Sequence, residues 1–217
     1  MATEKKKSMI VRDNLIKRVK NRLYLELIRI IQWPRVKFYR LLSTATVIDN
    51  GAKILQPVFF SGKGTITLGR CTLGTFPSPL FFSGYMHIEA REFESTISIE
   101  DGVFINNNVC MIAERSSIHI EKDTLIGPEV SIFDSDFHGL EPHLRNAGLH
   151  KSKPVHIGTN VFIGSRATIL KGVQIGSNSV VSAVSVVVKD IPQNTIVSGG
   201  QPYAERALTG RQEAKNK

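Results

Sequence analysis

Two hydrophobic periods divide the chain. Over residues 8–32, Ile16, Val19, Leu23, Leu27 and Ile30 recur at three- and four-residue spacing. That spacing predicts a helix with one apolar stripe. Pro34 should end or kink it, because proline lacks the N–H that a helix interior uses, and Arg35–Leu42 should follow as a second short helix. From about residue 46 the helical period gives way to an apolar residue at every sixth position. The step is irregular at first (Ile48, Ile54, Phe60, Ile66). It resumes at Ile99, Ile105 and Met111, and again at Ile120, Ile126 and Ile132. It is strict at Ile157, Ile163, Ile169, Ile175, Val181 and Val187. In the strict run the fourth residue after each is small or β-branched: Val161, Ala167, Val173, Ser179, Ser185. A period of six fits neither an amphipathic helix nor a simple alternating strand. It predicts short strands joined by tight turns, three to a coil, stacked as a parallel β-helix.

Two stretches break the step. Gly74–Tyr85 (GTFPSPLFFSGY) holds two prolines and four aromatics and reads as a loop or distorted coil. Phe133 to His156 (FDSDFHGLEPHLRNAGLHKSKPVH) is an insertion just before the strict run. It carries His138, His143, His150 and His156 with Asp134, Asp136, Glu141 and Arg145. A solenoid offers mostly core and flat surface, so a loop thrown out of it is the place to look for chemistry. The expected organisation is a helical arm over 1–45, a β-helix over 46–203 with the insertion at 133–156, and a tail over 204–217 with a short helix.

Charge changes the picture of the arm alone. Residues 1–40 hold 12 Lys/Arg against three acids, whereas the rest of the chain has 16 of each sign. Two readings of the arm stay open. Its stripe packs against the end of the solenoid, or it lies on an anionic membrane surface, as basic amphipathic helices do. Nucleic acid is not expected, since no helix-turn-helix or zinc-finger pattern accompanies the charge. No run approaches the ~20 apolar residues of a spanning helix, and the lysine-rich start lacks a signal peptide's apolar core. A cytoplasmic protein, peripheral at the inner membrane on the second reading, is therefore expected. Cys71 and Cys110 fit no metal or redox spacing and are expected as buried, reduced thiols.

The insertion DSDFHGLEPHLR, the coils PVHIGTNVFIGSRATILKGVQIGSNSVVSAVSVVVKDIP and the ending NTIVSGGQPY resemble the hexapeptide-repeat acyltransferases. The branch is that of the galactoside, maltose, nodulation-factor and polysaccharide O-acetyltransferases. The resemblance covers about residues 99–206. It implies a left-handed parallel β-helix, a homotrimer, and acetyl-coenzyme A bound in the groove between subunits, with no metal. His138 matches the family's general base. A sugar hydroxyl attacks a thioester only as its proton is removed, and an imidazole, with an ordinary pKa of ~6.5, can do this at neutral pH. The backbone N–H matching Gly164–Ser165 is the implied oxyanion donor. A carboxylate or carbonyl should fix the imidazole tautomer, with Asp136 and Glu141 both eligible. Arg145 matches the loop arginine, which ties the loop down or lines the acceptor pocket.

Asn107, with Asn108 beside it, matches an acceptor-contacting asparagine; the competing reading is that of turn residues, since Asn tolerates a positive φ. Ser165, Ala183 and Lys189 match coenzyme A positions, and Arg206 could pair with its phosphates from the tail. Phe162 stands where the family often has Trp, which keeps the apolar contact and removes an indole hydrogen bond. The chain also lacks the N-terminal acceptor-binding motif of the maltose and galactoside enzymes. A sugar hydroxyl of a surface polysaccharide, lipopolysaccharide or glycan precursor is thus a better acceptor than a free disaccharide. An antibiotic, amino acid or amino sugar acceptor on the same scaffold, and a non-catalytic scaffold, remain as alternatives. A zinc cluster of the loop histidines is not expected, for want of Cys or HExxH spacing. A carbonic-anhydrase-like metal trimer ranks low too, because only His119 and His156 approach coil positions.

Overall fold

The computed structural model describes the backbone of residues 2–199, and side chains from Lys20 onward except Asn21 and Arg29. The hexad period becomes a triangular prism. Parallel strands of two to five residues form three sheets of six, seven and six strands. Up to Val186–Val187, successive strands go to the first, second and third sheet in turn, so each coil adds one rung to every face, and the last strand, Ile196–Val197, joins the second. The fold is a left-handed parallel β-helix.

The residues at the six-residue step point into the prism and stack on their equivalents one coil away. Ile120 pairs in register with Ile157, Ile126 with Ile163 and Ile132 with Ile169. All six are at most 2% exposed. The small or β-branched fourth residues, Val161 to Ser185, are buried at the corners. Removing these side chains from water is the main drive of the fold, at roughly 25 cal/mol per Å² of apolar surface. Ile48 is an exception: it pairs in register with Thr67 on the outward face and is exposed, and its neighbour Val47, paired with buried Ile66, takes the inward position.

The arm departs from expectation. One helix runs from Ala2 to Leu42 with Pro34 inside it, in place of a break and a second helix. Tertiary contacts on both sides of Pro34 offset the lost hydrogen bond. Gln32 donates to the Phe81 carbonyl, Arg35 donates to the Gly84 carbonyl at 2.8 Å, and the Tyr39 and Tyr85 rings lie 4.8 Å apart. The aromatic loop over 74–85 is thus the platform for the helix. The face it receives is not the expected stripe. Ile28 and Gln32 are buried, whereas Leu23, Leu27 and Ile30 are exposed; the side chains of Ile16 and Val19 lie outside the described residues. No helix among the described residues is long and apolar enough to cross a membrane.

Cys71 and Cys110 are free. Burial pushes the Cys71 thiol up to about 11 and raises that of Cys110. The expected helix beyond Ala204 lies outside the described residues.

Candidate active site

The insertion leaves the third sheet after the strand Ser131–Phe133 and rejoins the first at Val155–Ile157. Its stem is held as a short antiparallel ribbon: Ser135 bridges Ser152, and the Lys153 N–H donates to the Asp134 carbonyl at 2.8 Å. Two buried carboxylates fasten the stem to the coil before it. Asp134 accepts backbone N–H bonds from Glu114 and Ser116, both at 2.7 Å, and from Arg115 at 3.3 Å. Burial pushes the Asp134 carboxyl above its ordinary range, against the pull of these amides. Glu114 accepts from the Ser135 hydroxyl and from His150 Nε2 at 2.6 Å, with Arg91 at 3.6 Å. Burial would raise its pKa, but the Ser135 and His150 hydrogen bonds prevail and hold it below the ordinary value. On the other side, Asp136 pairs with Lys171 of the following coil.

His138 sits at the exposed end of this braced loop. Its N–H donates to the Asp136 carbonyl at 2.7 Å, across a turn in which Phe137 has φ 60°. The 3-10 turn Pro142–Leu144 brings the chain back, so that the Arg145 carbonyl lies 3.2 Å from His138 Nδ1. A carbonyl can only accept, so Nδ1 carries the proton and Nε2 presents its lone pair. The group that Nδ1 faces is therefore a backbone carbonyl. The Asp136 carboxylate is taken by Lys171. Arg145 contributes that carbonyl, and its side chain is exposed.

The asparagines are braces. Asn107 is fully buried, donates to the carbonyls of Thr75 at 3.0 Å and Pro79 at 2.8 Å, and accepts from the Thr75 N–H at 2.9 Å. Asn108, at φ 58°, exchanges hydrogen bonds with Gln56. Both hold the aromatic loop over 74–85. The amide of Asn107 is engaged by that loop.

Ser165 and Ala183 occupy the same corner of successive coils. A Cβ on Gly164 would meet the Ala183 nitrogen at 2.4 Å, and one on Gly127 the Ser165 nitrogen at 2.7 Å. The coils therefore touch backbone to backbone there, which leaves a flat wall. The N–H groups of Ser165 and Ala183 take no part in the coil-to-coil hydrogen bonds. Lys189 is exposed beyond the strand Val186–Val187. Phe162 is 48% exposed on the second sheet, in register between Leu125 and Val180. Arg206 lies outside the described residues.

Sequence reasoning missed Glu114, Ser135 and Lys171. His150 and Glu114 are 36 positions apart, and nothing in spacing announces their contact. One further grouping lies away from the loop: ligand atoms of His119, Glu121 and His156 fall within 4.8 Å of one another.

The chain is similar to known proteins in sequence and fold. The family model described as the hexapeptide repeat of succinyl-transferase matches residues 154–189. A Saccharomyces cerevisiae protein named "Putative acetyltransferase YJL218W" is 35% identical over 142 residues, 65% of this chain and 67% of that one. The galactoside O-acetyltransferase of Lactococcus lactis is 38% identical over 107 residues, 49% of this chain. The match covers 51% of that enzyme, so the chain spans about half the length of this relative. In fold, the chain is similar to an N-acyltransferase from Bacillus cereus crystallised with dTDP and coenzyme A. The TM-score is 0.53 at 16% identity, over 81% of this chain and 89% of the other. Hexad core, inserted histidine loop and these similarities lead to one conclusion: the chain belongs to the hexapeptide-repeat acetyltransferase family.

Proposed function

We propose that the protein transfers the acetyl group of acetyl-coenzyme A to a sugar hydroxyl, with His138 as general base. The observation that carries this reading is the Nδ1 contact to the Arg145 carbonyl at 3.2 Å, which leaves Nε2 as the basic nitrogen. Nε2 takes the hydroxyl proton as the oxygen attacks the thioester carbonyl. The resulting oxyanion needs donors, and the Ser165 N–H is the one assigned to it. Collapse expels the coenzyme A thiolate, which receives the proton from the imidazolium. The pantetheine arm lies along the flat wall at Ser165 and Ala183, and Lys189 meets the phosphates as a mobile point charge. The galactoside enzymes among the relatives support a sugar acceptor. The acceptor assigned here is a surface polysaccharide, lipopolysaccharide or glycan precursor.

The assembly is a homotrimer on this reading. It is supported by an apolar column on the outward face of the second sheet, where Leu125, Phe162 and Ile196 stay exposed in one protomer. The basic arm works at the inner face of the membrane. Its exposed Leu23, Leu27, Ile30, Trp33 and Phe38 support contact with an anionic bilayer.

His138→Ala should abolish transfer to a glycan acceptor, followed by mass spectrometry with labelled acetyl-coenzyme A, while leaving the circular dichroism spectrum and Tm unchanged. General-base contributions run to about 10²–10⁴-fold, so near-normal turnover in a folded variant would overturn the assignment. Deleting residues 1–40 should release the protein from anionic vesicles in a sedimentation assay; unchanged partitioning removes the membrane role.

A further inference from the structure

The outward face of the first sheet carries a polar column in strict register: Thr67, Ser98, His119, His156 and Gln174. At its centre two histidines stand on adjacent rungs. Their rings are 5.2 Å apart at an interplanar angle of 80°. Glu121, one residue beyond the strand of His119, turns back to the same place. Its Oε1 lies 2.8 Å from His156 Nε2, and its Oε2 accepts the Thr159 hydroxyl at 2.6 Å. Glu100 stands behind His119, 3.1 Å from its Nε2.

We propose that His119, Glu121 and His156 bind a divalent first-row transition-metal ion such as Zn²⁺. Two imidazoles and a carboxylate are a donor set such ions take, with a fourth position left for water or a ligand. The potential ligand atoms already lie within 4.8 Å of one another. Zinc–ligand bonds of about 2.0–2.2 Å call for spacings somewhat shorter than this. The adjustment is small for side chains that stand outward from the sheet. Glu100 supplies the carboxylate behind a ligating histidine that metal sites commonly use to fix the ring. Thr159 does the corresponding work for Glu121. The site also has access: Glu121 and His156 line a cleft of about 350 Å³ shared with Gln174, Ser177 and Asp190.

The placement suggests what the ion would do. His119 and His156 belong to neighbouring rungs, but the whole inserted loop lies between them in the chain. A shared metal pins the coil that enters the loop to the coil that leaves it. The sequence placed His119 and His156 at coil positions but not Glu121, which is 35 positions from His156 and joined to it only by the coil register.

The test uses the tag-free full-length chain, freed of metal with a chelator and titrated with Zn²⁺ by calorimetry. One ion per chain is expected. The double variant His119→Ala/His156→Ala should bind at least about tenfold more weakly, as metal sites do when their shell is removed. Circular dichroism and the metal-free Tm check that the variant folds. Glu121→Gln, which keeps size and removes charge, should also weaken binding. Zn²⁺ at a hundredfold excess over its Kd should raise the wild-type Tm by about 5 °C or more and leave that of the double variant unmoved. A difference in affinity below tenfold, or equal thermal shifts in both proteins, overturns the site.

Discussion

Replacing Asp134 by alanine should loosen the histidine loop without touching it. The carboxylate is fully buried and accepts three backbone N–H groups, from Glu114 and Ser116 at 2.7 Å and Arg115 at 3.3 Å. Alanine leaves those three donors without a protein partner, the Glu114 N–H buried and those of Arg115 and Ser116 part-buried. An unsatisfied buried donor costs about 1–3 kcal/mol. Against this, the variant no longer buries a charge, a cost that shows in the raised pKa of the Asp134 carboxyl. The net is about 3–5 kcal/mol of lost stability. At about 2–4 °C per kcal/mol for a domain of this size, Tm should fall by about 6–20 °C in differential scanning calorimetry. Asp134→Asn keeps one acceptor oxygen and should fall between wild type and alanine. Limited proteolysis should cut the alanine variant first within 134–154, because the stem leans on this carboxylate. A Tm within 2 °C of wild type would refute the argument that the three amides depend on Asp134.

Two further outcomes are expected. Val184 is an exposed β-branched residue at φ 61°, a conformation that Asn160, Asn178 and Asn194 occupy at equivalent turns. Val184→Asn should stabilise the protein by about 1 kcal/mol, read as a 2–4 °C rise in Tm; no rise would mean the turn is unstrained. Glu114 has its folded-state pKa below the ordinary 4.5, so the stability it contributes is complete above that value and is lost as the pH falls through the folded pKa. The Glu114→Gln variant should therefore lose less Tm than wild type on acidification below about pH 4.5; parallel profiles would show that the His150–Glu114 lock does not titrate.

The repeat and its interruption were legible in the sequence. A six-residue apolar period has one compact solution when every third short strand must stack on its equivalent, so Ile157 to Val187 specify coil length and core together. The same strictness exposed the loop, and with it His138. Local patterns of this kind survive in sequence because they are set by near neighbours. Other features needed the tertiary structure. The helix runs through Pro34 because contacts with Phe81, Gly84 and Tyr85 outweigh a missing hydrogen bond. Its buried face, at Ile28 and Gln32, was chosen by the loop it meets rather than by its own apolar stripe. Asn107 is a brace because the coil below supplies the Thr75 and Pro79 backbone. The ring of His138 is oriented by a carbonyl, which every residue carries and no motif records. His150 meets Glu114 only because the loop folds back, and His119 meets His156 only through coil register. The prism and the place where it breaks follow from a local period that can be read along the chain. The partners of each polar side chain were decided by folding, since they come from residues distant in the chain.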